Sequence, residues 1–124
     1  MDEIEPGLWL GTVAEAQGLT GADWRILCVL ENPPAFPGKE AMNIPVFDPA
    51  AGKADHVKLE AAARIIDGWL LQKKKVLVCC GASAERSPLT VAYYLSWRDR
   101  VPVSVAYDRV EAKHPQTQRR LYWL

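Results

Sequence analysis

The feature that most constrains the fold is an apolar strand, a short polar loop and a helix that follow one another in the second half of the chain. Residues 76–79 have the length and composition of a buried strand, whereas residues 81–85 are too small and polar to continue it. Ser87 followed by Pro88 is typical of an N-cap and the first position of a helix. Residues 89–97 are apolar nearly all round, which predicts a central, buried helix.

The rest of the sequence alternates between strand and helix patterns. The predicted elements are a hairpin around residues 6–7, a helix over 13–18, strands over 25–30 and 42–46, helices over 57–72 and 103–113, and a short helix after residue 115. Such alternation predicts an α/β fold with a largely parallel central sheet flanked by helices. A length of 124 residues fits a single domain over 1–124, because a chain of this size buries one core.

Composition and charge exclude several classes of protein. No apolar run approaches the roughly 18 residues of a membrane-spanning helix, and the acidic N-terminus lacks the apolar stretch of a secretory signal. Three cysteines, two of them adjacent, form a poor disulfide framework, so we expect a reducing cytoplasm. Residues 1–71 carry 11 acidic and 5 basic side chains, and residues 72–124 carry 4 and 10. The basic half could hold an anion site or a solvated face.

The loop between the predicted strand and helix suits the binding of phosphate. A loop that leads into a helix directs several backbone N–H groups, and the positive end of the helix dipole, at one point. Arg86 can bind two phosphate oxygens there with its planar guanidinium. The same potential favours thiolate over thiol, which makes Cys80 a candidate nucleophile. The predicted phosphate-binding residues are Gly81, Ala82, Ser83, Ala84, Glu85 and Arg86.

A cysteine, five further residues, an arginine and a serine, here Cys80 to Ser87, resemble the signature of the protein tyrosine phosphatase superfamily. The wider sequence is similar to the small dual-specificity phosphatases in the segments over 5–11, 26–30 and 110–115. The resemblance implies a three-layer α/β/α fold and metal-independent hydrolysis of phosphomonoesters through a cysteinyl-phosphate. It also implies protein substrates carrying phosphotyrosine or phosphoserine/threonine, and no cofactor.

The resemblance further implies a general acid on an upstream loop. Asp48 lies 32 positions before Cys80 and is the first candidate, and Asp55, 25 positions before it, is the alternative. Either could instead be a solvated loop acid or a helix cap, since proton transfer requires hydrogen-bond reach. The resemblance gives the Ser87 hydroxyl the task of assisting the departure of the thiolate, beside the alternative of a plain N-cap.

Three residues depart from the pattern of that family. Cys79 stands where a histidine usually precedes the nucleophile, Ser83 stands where glycine is usual, and Glu85 adds a negative charge to the loop. Ser83 and Glu85 together resemble the loops of rhodanese-like mitotic phosphatases and arsenate reductases, so we expect them to be compatible with anion binding. Cys79 and Cys28 are expected in the core, although a reversible disulfide of either one with Cys80 is the alternative.

Three functions stay open on the sequence. A protein phosphatase is expected first, the departures motivate a phosphate-binding pseudophosphatase, and the loop resemblance motivates a sulfurtransferase or an arsenate reductase. We expect a monomer that acts on phosphorylated protein and binds no membrane. No metal is expected either, because His56 and His114 make no ligand cluster. No basic stripe with interleaved aromatic residues indicates nucleic-acid binding, although an RNA 5′-phosphate stays open as a substrate.

Overall fold

The computed structural model describes residues 1–124 and contains one five-stranded sheet and one short two-stranded hairpin. The strands of the large sheet are β1 (Asp2–Glu5), β2 (Leu8–Thr12), β3 (Trp24–Cys28), β4 (Ala41–Asn43) and β7 (Lys75–Cys80), and those of the hairpin are β5 (Phe47–Asp48) and β6 (Lys53–Ala54). The helices are α1 (Val13–Gln17), α2 (His56–Leu71), α3 (Arg86–Asp99) and α4 (Val103–Lys113), followed by a 3-10 turn at Leu121–Trp123.

The large sheet has the strand order β1-β2-β7-β3-β4. Only the β1–β2 pair is antiparallel, and the other three pairings are parallel. The expected largely parallel sheet is therefore confirmed. The last strand in the sequence, β7, lies in the middle of the sheet. Cys80, the residue at its end, therefore has a neighbouring strand on each side.

The two faces of the sheet are covered unequally. Val76, Val78 and Cys80 of β7 point into a core of 23 buried residues that includes the inner faces of α2, α3 and α4. Leu77 and Cys79 alternate with them and point to the opposite face, where the short helix α1 covers a cluster of five. Helices flank both faces as expected, although one face carries a single five-residue helix.

Two predicted boundaries were wrong in ways that affect the site. The helix expected to begin after Ser87 begins at Arg86, with Glu85 at the N-cap position and no side-chain capping bond. Pro88 thus occupies the third helical position, which it tolerates because backbone N–H groups of the first turn have no partner inside the helix. Asp48, expected on a loop, lies in the β5–β6 hairpin, where it pairs with Lys53. No helix of the structure has the length and hydropathy to cross a membrane.

Candidate active site

Cys80 lies at the carboxyl end of the central strand β7, where the chain turns into α3. Cys80 is 4% exposed, so its side chain is almost completely buried. The N–H of Ser87 donates to the Cys80 Sγ at 3.4 Å, and the Ser87 Oγ lies 3.2 Å from the same sulfur. The nucleophile predicted from the sequence is therefore held against the N-terminus of α3, where donors and helix dipole stabilise negative charge.

Arg86, the first residue of α3, is fixed by contacts on two sides. Its guanidinium carbon lies 4.9 Å from the ring centroid of Phe47 and 5.7 Å from that of Trp123, within the range of cation–π attraction. Its Nε and Nη2 donate to the carboxylate of Glu31 at 2.9 Å and 2.7 Å. These bonds raise the pKa of Arg86 above its ordinary value. Glu31 and Trp123 were not among the residues predicted from the sequence.

The loop over 81–85 is braced from outside by the C-terminal segment. The carbonyl of Ala84 accepts the Gln118 N–H at 2.8 Å, and the Glu85 carboxylate accepts from the Arg120 Nε at 3.0 Å. Glu85 thus braces the loop, and its charge is paired with an arginine. The predicted phosphate-binding segment is in this way tied to residues more than thirty positions downstream.

Ser83 adopts a left-handed backbone conformation, with φ +55°, in which glycine is usually preferred. Its side chain is fully buried, and its Oγ lies 3.3 Å from the Oγ of Ser87 and 3.1 Å from the Nε2 of His114. The carbonyl of Ser83 accepts from the same His114 Nε2 at 2.5 Å. Ser83 therefore replaces the expected glycine by a residue whose conformation is held by hydrogen bonds.

His114 lies in the 110–115 segment that resembles the family, but no site role was predicted for it from the sequence. It follows α4, it is fully buried, and its Nδ1 lies 2.7 Å from the Oδ2 of Asp2 on β1. No spacing in the sequence relates positions 2, 83 and 114, because β1 and the end of α4 meet only in the folded protein. A histidine directly before Pro115, in the segment that resembles the family, was the one available signal, and it is a weak one.

Asp48 and Asp55 line one cleft of about 250 Å³ together with Glu31, Phe47 and Pro49. The Oδ1 of Asp48 accepts the N–H of Ala50 at 3.0 Å and that of Ala51 at 3.4 Å, and its Oδ2 has no protein partner. The Oδ1 of Asp55 accepts the N–H groups of residues 57 and 58 at 3.0 and 3.2 Å and so caps α2. Both candidate acids share this cleft with Glu31, the partner of Arg86, but neither Cys80 nor Arg86 lines it. Of the two acids, Asp55 is the one that caps a helix.

The remaining two cysteines lie together, away from Cys80. Cys28 and Cys79 are register partners on neighbouring parallel strands, both fully buried on the face covered by α1. All three cysteines are free thiols. Donation from the Cys79 thiol lowers the pKa of Cys28 to about 7, and the same bond together with burial raises the pKa of Cys79. Both are core residues, as expected, and the sheet separates Cys28 from Cys80.

No family model and no curated protein sequence matches this chain. Solved structures do match it over nearly its whole length. Human DUSP28 has 21% sequence identity and a TM-score of 0.78, with 98% of this chain and 86% of that chain covered. DUSP15 has 21% identity and a TM-score of 0.78, with 98% and 80% covered.

A third match is the human tyrosine phosphatase-like serine/threonine/tyrosine-interacting protein. Its identity is 20% and its TM-score is 0.78, with 99% of this chain and 89% of that chain covered. At these identities the likeness concerns architecture, and it confirms the fold that the Cys80-to-Ser87 signature implied. The chain has the fold of the small dual-specificity phosphatases.

Proposed function

We propose that this protein is a metal-independent phosphomonoester hydrolase that acts on phosphorylated proteins through a cysteinyl-phosphate. The observation that carries the proposal is the position of the Cys80 Sγ, which accepts the Ser87 N–H at the N-terminus of α3. Arg86 stands in the same helical turn. A thiolate, a helix N-terminus and a guanidinium supplied by one loop and the first turn of the following helix can bind a phosphoryl group and attack it.

In the first step, the thiolate of Cys80 attacks phosphorus in line with the leaving oxygen. The S–P bond forms as the P–O bond breaks, while Arg86 and the loop N–H groups stabilise the three equatorial oxygens. Asp48 in its acid form donates a proton to the leaving alcohol or phenol. Its place in the cleft beside Glu31, the partner of Arg86, and its unpaired Oδ2 support this role.

In the second step, water replaces the cysteine. The Asp48 carboxylate takes one proton from the water, whose oxygen attacks phosphorus, and the S–P bond breaks to release inorganic phosphate and the thiolate. The Ser87 hydroxyl, 3.2 Å from the sulfur, donates a hydrogen bond to the departing thiolate. Ser87 is buried and caps no helix end, which supports this role over that of an N-cap.

The test is hydrolysis of a simple aryl phosphate by the purified chain in the presence of EDTA. Cys80→Ser and Arg86→Ala should abolish turnover, and Arg86→Lys should restore little of it because lysine has no planar fork. Full activity of Cys80→Ser would end the proposal. Activity that disappears with EDTA and returns with a divalent metal would do so as well.

A second candidate function is phosphate binding without turnover, and one observation favours it. Glu31 occupies the Nε edge of Arg86, an edge with which a guanidinium commonly binds phosphate. A binding module should retain a phosphotyrosine peptide without releasing phosphate from it. The same peptide assay therefore separates the two functions, because an enzyme releases phosphate over time and a module does not.

The proposal extends to the oligomeric state, the compartment and the substrate class. We propose a monomer as the working unit. Three free thiols support a reducing compartment, and we propose the cytoplasm. A panel of phosphotyrosine, phosphoserine/threonine, phosphoinositide and RNA 5′-phosphate substrates identifies the substrate class, with phosphoproteins expected to be turned over fastest.

A further inference from the structure

A continuous series of hydrogen bonds runs from a carboxylate near the surface to the candidate nucleophile. It links Asp2 to His114 at 2.7 Å, His114 to the Oγ of Ser83 at 3.1 Å, that oxygen to the Oγ of Ser87 at 3.3 Å, and that to the Sγ of Cys80 at 3.2 Å. We call these five side chains the hydrogen-bond relay. Its three middle members are fully buried, so water does not compete for their bonds.

The partners of His114 determine where its protons are. Its Nε2 lies 2.5 Å from the carbonyl oxygen of Ser83, which can only accept, so Nε2 must carry a hydrogen. Its Nδ1 lies 2.7 Å from a carboxylate oxygen of Asp2, which also only accepts when ionised. A neutral imidazole carries one N–H and would leave a lone pair against an oxygen on one side. The arrangement is satisfied by a doubly protonated imidazolium paired with ionised Asp2.

The direction of the remaining bonds then follows. With Nε2 donating to both the carbonyl and the Oγ of Ser83, the Ser83 hydroxyl is free to donate to Ser87, and the Ser87 hydroxyl to Cys80. Each hydroxyl accepts one bond and donates one, and every proton points toward the sulfur. This polarity suits a thiolate, which accepts hydrogen bonds and has none to donate.

The same histidine also holds the shape of the loop. Ser83 has φ +55°, a conformation that is strained for a residue with a Cβ. The bond from the His114 Nε2 to the Ser83 carbonyl draws that carbonyl to the rear of the loop. A carbonyl oxygen that pointed toward the anion site would repel phosphate, so turning the Ser83 carbonyl away from that site favours phosphate binding.

We propose that His114 is a positioning residue: as an imidazolium held by Asp2, it fixes the loop at Ser83 and orients the hydroxyl protons of Ser83 and Ser87 toward the Cys80 sulfur. Its effect on turnover rests on the proposed phosphatase function. Its effect on the reactivity of the Cys80 thiol does not, because alkylation of a thiolate requires no phosphate chemistry. The two ideas can therefore fail separately.

The charge of His114 can be observed directly by ¹⁵N NMR of the unmodified protein at pH 7. The chain has two histidines, and His56, an exposed residue of α2, serves as the internal comparison. Both ring nitrogens of His114 should resonate as protonated nitrogens. A neutral tautomer of His114 at this pH would overturn the proposal.

Two variants test the consequence for Cys80. Asp2→Asn removes the carboxylate at a half-exposed position where folding should tolerate the change, and His114→Gln can keep a donor toward Ser83 but has no charge. Each should slow the alkylation of Cys80 by iodoacetamide at pH 7 about tenfold, an effect typical of residues that orient a reactive group. His56→Gln should react like the unmodified protein. Thermal unfolding confirms that each variant is folded.

Turnover supplies the second readout. In the folded variants kcat/KM for an aryl phosphate should fall about tenfold, because the relay supports both the reactivity of Cys80 and the phosphate-binding conformation of the loop. Unchanged alkylation rates in folded Asp2→Asn and His114→Gln would overturn the proposal. If the unmodified protein shows no turnover, the proposed function fails, but the alkylation rates still decide on the relay.

Discussion

Glu31 binds one edge of the Arg86 guanidinium with both oxygens of its carboxylate, at Nε–O and Nη2–O distances of 2.9 Å and 2.7 Å. Glu31 lies three residues after β3, and Arg86 is the first residue of α3. The pair therefore connects the end of β3 to the loop that follows the central strand β7. Both side chains are about three-quarters buried. The Nη1 group and one Nη2 hydrogen remain free, which leaves a second donor edge for a phosphate.

We predict that Glu31 acts as the support that keeps this second edge turned toward the phosphate. Glu31→Ala should lower kcat/KM for an aryl phosphate by about 10–100-fold, the equivalent of the 1.5–3 kcal/mol that a hydrogen bond to a charged group contributes. Glu40→Ala, an exposed acid before β4, is the matched control and should leave activity unchanged. An increase in kcat/KM for Glu31→Ala would mean that Glu31 blocks the site and would contradict the prediction.

The two candidate acids should separate when each is changed. Asp48→Ala should slow turnover by about 10²–10⁴-fold, because the free Oδ2 is the proton donor, and should cost about 1 kcal/mol of stability, because Oδ1 accepts backbone N–H bonds in the hairpin turn. Asp55→Ala should lower the free energy of unfolding by about 0.5–2 kcal/mol, because it removes the N-cap of α2, while kcat stays close to that of the unmodified protein. Steady-state kinetics and urea unfolding of both variants measure this. The reverse pattern would make Asp55 the general acid.

The arrangement of the cysteines predicts the products of oxidation. Side chains alternate along β7, so Cys79 faces Cys28 on one side of the sheet while Cys80 opens toward the loop on the other. Peroxide should therefore oxidise Cys80 first and form no Cys28–Cys80 disulfide. Peptide mapping by mass spectrometry tests this, with Cys80→Ser as the control in which oxidation should be slow. A Cys28–Cys80 bridge in folded protein would contradict the expected separation.

Most of the fold could be predicted from local patterns. Residues 103–113 were predicted as a helix with the observed bounds, because an amphipathic stripe and the flanking Pro102 and Pro115 act over short distances. The strand before Cys80 was also placed within one residue at each end. The β5–β6 hairpin was missed because each strand has two residues, which is too short for a periodic pattern.

The site could be predicted only where its residues adjoin in sequence. Cys80 and Arg86 lie at the two ends of one loop, and the five-residue spacing between them indicates a phosphate-binding site. Glu31, Asp2 and His114 come from three distant segments, and no spacing in the sequence places them at the loop. Ser87 was expected at the N-cap because serine is common there. In the structure its hydroxyl contacts the Cys80 sulfur and caps no helix. Tertiary contacts in these cases override local preference.

The C-terminal brace of the loop depends on a buried phenol, and this gives a pH-dependent prediction. The Tyr107 hydroxyl is fully buried and accepts the N–H of Arg120, whose side chain binds Glu85. Burial raises the pKa of Tyr107 to about 12. An unfolded chain has a tyrosine pKa near about 10, so the folded state keeps this phenol neutral over a range in which the unfolded state ionises it.

The sign of the effect is a loss of stability as the pH rises. Below about pH 10 the phenol is neutral in both states and its contribution is complete; between about pH 10 and 12 the free energy of unfolding should fall by roughly 2–3 kcal/mol. Tyr107→Phe should be about 1 kcal/mol less stable at pH 8, since the Arg120 N–H loses its acceptor, but should decline less above pH 10. Urea unfolding from pH 8 to 11 measures both slopes. Tyr122→Phe removes an exposed phenol and should keep the decline of the unmodified protein, and an equally steep decline in Tyr107→Phe would refute the assignment.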